Sequence, residues 1–99
     1  SNTNTQLESS KALQARALAS INAIAELFEV ANLNRIKPGI AEATRAVLRR
    51  RPKTVFIRSF EDPDLEALIY LCETDGIEIV DNPVLTGAYR AITLIENAT

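Results

Sequence analysis

The order of apolar patterns along this 99-residue chain predicts an α/β protein, a three-layer α/β/α sandwich around a central mixed four-stranded sheet. Three observations carry that expectation. Stretches with a period near 3.6 alternate with short β-branched runs, as strands joined by helical crossovers require. Asp62-Pro63 and Asn82-Pro83 each place a capping side chain before a proline that has no amide to leave unpaired. No linker is long enough to divide the chain, so residues 1–99 read as one domain, with 1–6 a loose polar tail.

The elements follow in order. Thr5-x-x-Glu8 can form a capping box, and Leu13, Ala17, Ile21, Ile24, Phe28 and Ala31 recur at intervals of three and four. They predict a first helix over about 7–31 with one buried stripe, ended by Asn32 and Asn34. Arg35-Ile36-Lys37 is long enough only for a short strand or an extended link, and Pro38-Gly39 turns the chain. Ile40, Ala43 and Val47 mark the apolar face of a second helix, which must stop before Pro52. Thr54–Ile57 is a continuous apolar run, as in a strand covered on both faces. Leu65, Leu68, Ile69 and Cys72 stripe a third helix that Gly76 can close. Ile77–Val80 is the next strand, Asn82-Pro83 opens a short helix through about Tyr89, and Ala91–Ile95 is the last strand.

Composition excludes several chemistries. The chain has no His and a single Cys, so it lacks the usual general base, the commonest metal ligand and any internal disulfide. Cys72 lies on an apolar helical stripe and reads as a small core residue. No enzyme activity, metal, cofactor or small-molecule substrate is expected, and no apolar run is long enough to span a membrane. The lone cysteine suits a reducing, intracellular setting, cytoplasm or nucleus and nucleolus.

Charge is sharply divided. From Arg35 to Arg58 there are eight bases and one acid, Glu42; from Ser59 to Asp81 there are eight acids and no base. Within the basic half, KPGIAEATR (37–45) sets Lys37 beside a turn and a helix start. The free amides and positive dipole of such a start favour a phosphate. Glu42 and Arg45, three residues apart on one helix, can pair with each other or face a ligand. Arg49-Arg50-Arg51 reads as a solvated helix end adding long-range attraction for polyanions. The acids Glu61, Asp62, Asp64 and Glu66 suit a helix start. Phe60 can either stack on a base or staple the third helix.

The blocks KPGIAEATRAVLRR, KTVFIRSFEDPD, LIYLCETDGIEIV and NPVLTGAY resemble, in order and spacing, those of the kink-turn-binding ribosomal and small-nucleolar-RNP superfamily (the L-seven-Ae family). The resemblance covers about residues 12–96. It implies an RNA-binding subunit of a ribonucleoprotein (ribosomal, small-nucleolar or ribonuclease P/MRP-like) whose partners are structured RNA and other particle proteins. By position it assigns Gly39 to the turn, Glu42 to a base edge, Arg45 one turn on, and Arg35 and Lys37 to phosphates. Ile40, Arg58 and Arg90 complete the expected RNA-contacting set. Ala41 stands where kink-turn binders carry Asn, and the segment Tyr89-Arg90 before the last strand is short. Both departures suit a second reading, an acidic protein-interaction module similar to the growth-arrest and DNA-damage-inducible proteins.

Overall fold

The computed structural model describes residues 2–96, with side chains from residue 10 onward. The elements are α1 (Asn2–Leu27), β1 (Ile36–Pro38), α2 (Ile40–Leu48), β2 (Pro52–Ile57), α3 (Glu66–Asp75), β3 (Glu78–Asp81), α4 (Pro83–Thr86) and β4 (Ala91–Ile95). Short 3₁₀ turns at Leu33–Arg35 and Pro63–Leu65 lead into β1 and α3. The sheet order is β1-β4-β2-β3, with β2 and β3 parallel and β4 antiparallel to both β1 and β2. This is the mixed four-stranded sandwich expected from the sequence.

Strand alternation sorts the core into two layers. Val55 and Ile57 of β2, with Ala91 of β4, pack against Ala43 and Val47 of α2 and Leu65, Leu68 and Cys72 on the α3 side. Phe56, Ile92 and Leu94 face the other way, onto Ile24 of α1, Val30 and Ile36. There Phe28 meets Phe56 edge to face, with ring centroids 5.3 Å apart, a geometry that adds about 1 kcal/mol to simple burial. Where the two central strands meet the edge, Thr54 is buried and its hydroxyl donates to Glu78 at 3.0 Å.

Several boundaries differ from the sequence expectation. Helix α1 begins at Asn2, ahead of the Thr5 box, and so takes in most of the stretch read as a tail. It ends at Leu27 rather than near 31. The Val30 amide reaches back to the Ala25 carbonyl at 2.8 Å while Glu29 turns left-handed (φ 53), a terminus that satisfies the last free carbonyls. Asn32 does not end α1; its side chain caps the 3₁₀ turn by accepting from the Asn34 amide. The stripe is buried only in its second half. Ile24 is fully buried, whereas Leu13 is 50% exposed and Ala31 is also exposed. A 26-residue helix is about 39 Å long and outruns a sheet whose strands are three to six residues.

The last helix is one turn, not two. It stops at Thr86 because Gly87 turns left-handed (φ 54) where it crosses α1. A Cβ there would lie 2.2 Å from the Ser20 hydroxyl. Strand β2 starts two residues early, at Pro52, with Lys53 as an irregularity in the β4 register. Strand β3 is shifted one residue onward.

Candidate nucleic-acid interface

The turn into α2 is where the sequence places it, and its geometry follows from Gly39. That residue sits at φ 104, a region that glycine alone enters freely, and its amide donates to the Ala91 carbonyl of β4 at 2.8 Å. No side chain caps the helix, and a Cβ at Gly39 would touch nothing within 4 Å. Among the described residues, the amides of Ile40, Ala41 and Glu42 have no partner. The helix mouth is therefore open, with a positive dipole end bare to solvent. Ile40 packs its side chain against the α2/α3 core layer, leaving only its backbone at the mouth. Ala41 is exposed.

The same end of the sheet gathers the loops that precede β4 and follow β2. The Arg58 amide donates to the Arg90 carbonyl at 2.9 Å and the Asn82 amide to the Ile57 carbonyl at 3.0 Å. Here the two expected arginines are already engaged. Arg58 donates through its guanidinium to the Gly87 carbonyl at 2.8 Å. Arg90 is clasped by two carboxylates, Asp62 at 3.1 Å and Asp64. Phe60 is not a buried staple. It is 51% exposed and lines a shallow cleft with Glu61, Asp62, Pro63, Glu66 and Ile69.

The other expected bases lie along the edge of the sheet rather than at its end. Lys37 on β1 pairs across to Thr93 of β4, which puts its side chain on the α2 side of the sheet. There it lines a cleft of about 160 Å³ with Glu42, Arg45, Ala46, Arg49, Arg51 and Ile95. Lys37, Arg51 and Ile95 also line an adjoining cleft of about 400 Å³ with Asn32, Asn34, Arg35 and Glu96. The two make one groove between edge strand and helix, bordered by five bases, Arg35, Lys37, Arg45, Arg49 and Arg51.

Its positions are set by backbone contacts. Arg35 donates from Nε to the Ile95 carbonyl at 3.2 Å, and the Glu96 amide donates to the Arg51 carbonyl at 2.7 Å. Glu42 and Arg45 form the intrahelical ion pair. The Arg45 hydrogen bond and charge, with smaller contributions from Lys37 and Arg49, hold the Glu42 carboxyl below its ordinary value.

Arg49 and Arg51 were read from the sequence as a helix end supplying only diffuse attraction. The structure brings both into the groove. Arg45 and Arg49 are four apart and so share a helical face, which was a usable signal. Arg51 had none, because the chain reverses at Arg50. That residue is left-handed (φ 54), and the Arg51 amide returns to the Ala46 carbonyl at 3.0 Å. Arg50 itself points elsewhere, lining a cleft of about 580 Å³ with Lys53, Asp75 and Glu78.

Cys72 is fully buried, and burial, with Asp75 and Glu73 nearby, pushes its thiol up to about 11, the opposite of an activated nucleophile. No metal-binding group of His, Cys, Asp and Glu occurs among the described residues, and none of the described helices is long and apolar enough to cross a membrane.

Comparison with known proteins bears on fold and family. The solved structure of the Giardia lamblia 15.5kD RNA binding protein superposes with a TM-score of 0.53, covering 86% of this chain and 75% of that one at 21% identity, which shows a shared fold. The Acinetobacter baylyi protein named cysteine protease StiP is 39% identical over 88 residues, 87% of this chain. The chain spans only 22% of that relative's length. A model of the Pelota RNA-binding domain matches residues 15–97. That span takes in the open helix mouth, the basic groove and every strand of the sheet, and on it the chain belongs to the Pelota RNA-binding domain family.

Proposed function

We propose that this domain binds structured RNA, with phosphates held at the mouth of α2 and along the adjoining groove, as the RNA-holding part of a larger ribonucleoprotein or multidomain protein. The observation that carries the reading is the five-base groove, which runs beside an uncapped helix start. Charge there has few local partners: Glu42 is held by Arg45, and Glu96 sits at the far end. Membership of an RNA-binding domain family supports the same reading.

At the mouth, the free amides that follow Gly39 receive a phosphate, with Lys37 in the adjoining groove, and Glu42 can accept from a base amino group once Arg45 turns to the backbone. Arg58 adds positive charge at this end of the sheet, whereas Arg90 is held by Asp62 and Asp64. A non-catalytic role fits a chain without His whose one thiol is buried. In a longer protein such as the StiP relative, the domain would hold RNA while any chemistry belonged to other parts.

The test is a titration with a kink-turn RNA and with an unstructured RNA of equal length, each at two salt concentrations. Selective binding that drops in Glu42→Ala and Arg45→Ala is the expected result. Equal, weak binding to both RNAs would favour the protein-docking alternative.

A further inference from the structure

We infer that the groove between β1 and the C-terminal half of α2 carries a double-helical stem of the RNA, gripping its backbone and reading no base. This rests on the RNA-binding reading above and names the part of the RNA that the groove accepts. Proteins hold single strands mainly by stacking bases on aromatic rings, whereas they hold A-form duplexes by shape, through phosphate and 2′-hydroxyl contacts. The groove is built for the second task.

The chain has five aromatic side chains, three Phe and two Tyr, and none of them lines it. Phe28, Phe56 and Tyr89 belong to the core layer under α1. Phe60 is ringed by Glu61, Asp62 and Glu66, carboxylates that repel a phosphate chain. Tyr70 lies on α3, and α3 contributes no residue to the groove.

The groups able to read base edges are equally scarce. Glu42 stands in the first turn of α2, at the mouth end of the groove, and the Asn32 side-chain oxygen already accepts from the Asn34 amide. Apart from Asn34 and Glu96 at one end, the polar lining that remains is cationic. Arg35, Lys37, Arg49 and Arg51 come from a turn, an edge strand, a helix end and the reversal after it. They sit on both walls of an open trough, as a ridge of phosphates would need.

A matched pair of double variants tests this. Arg49→Gln with Arg51→Gln removes two charges inside the groove. Arg50→Gly with Lys53→Gln removes two from the same stretch of chain but in the cleft on its other side. Fluorescence anisotropy compares a blunt RNA duplex of about 16 base pairs with one of its strands alone, between about 50 and 200 mM salt. Circular dichroism checks that each variant is folded, and Arg49→Gln alone serves if the double variant is not.

The duplex is expected to bind about tenfold or more tightly than the strand. The groove variant should lose about tenfold in duplex affinity and about two units of log–log salt slope, and the control pair should lose little. A strand bound as tightly as the duplex would overturn the stem assignment while leaving RNA binding intact. Equal losses in both double variants would overturn the groove. Binding of neither probe, nor of kink-turn RNA, would overturn the RNA-binding reading itself.

Discussion

The two edges of the sheet are chemically opposite. The β1 edge with α2 presents Arg35, Lys37, Arg45, Arg49 and Arg51, while the β3 edge with α3 carries Glu66, Glu73, Asp75, Glu78 and Asp81. The sheet order β1-β4-β2-β3 converts a division along the chain into a division across the molecule, because the last strand inserts between the first two. Bases that lie where the halves meet have acids beside them: Arg90 pairs with Asp62 and Asp64, and Arg50 and Lys53 share a cleft with Asp75 and Glu78. On the far edge Arg45 pairs with Glu42, while Arg35, Lys37, Arg49 and Arg51 have no ion-pair partner among the described residues. Net charge near zero thus conceals a concentrated positive field on one side, which is what a polyanion meets first.

Charge reversal should break the contrast most strongly. Arg49→Glu with Arg51→Glu is expected to weaken RNA binding on the order of a hundredfold at low salt. Neutralising Glu73 and Asp75 on the opposite edge should leave affinity unchanged or slightly higher. Filter binding or anisotropy on both variants measures the ratio.

The next largest effect concerns the reversal that aims Arg51. Arg50 holds a left-handed backbone at φ 54, a conformation costing a residue with a Cβ about 1 kcal/mol. Arg50→Gly should raise stability by about that amount in denaturant unfolding, with RNA affinity retained. Arg90→Ala removes a partly exposed clasp to the acidic side, so a loss of about 0.5 kcal/mol is expected, read in the same way.

The smallest effect is a pH dependence. The Glu42 carboxyl is lowered chiefly by the Arg45 hydrogen bond. Its contribution is therefore present above the ordinary carboxylate value of 4.5 and is lost as pH falls through the lower folded value. An NMR titration should place its midpoint below that in Arg45→Ala.

Much of the fold was legible because its information is local. Asp62 and Asn82 do cap the turns beginning at Pro63 and Pro83, Gly76 does close α3 in a left-handed conformation, and apolar runs mark β2, β3 and β4, whereas the three residues of β1 could equally have been a link. What failed was set by neighbours. Leu13 fits the periodicity of a buried stripe in α1 but is half exposed, because the described part of the sheet packs only against the later turns of that helix. The last helix stops where Gly87 meets Ser20 of α1, a contact between residues 67 positions apart that no local pattern announces.

The candidate interface divides in the same way. By itself the sequence determined the element order, the open glycine turn into α2 and the separation of bases from acids, since capping, periodicity and charge are properties of adjacent residues. Only the tertiary structure decided which bases work together. Arg35 and Arg51 meet because both are tied to the end of β4, through the Ile95 carbonyl and the Glu96 amide. Arg90 is withdrawn by carboxylates from another loop. The reason is physical: a side chain's reach is a few ångströms, and strand order, not sequence distance, determines what lies within it.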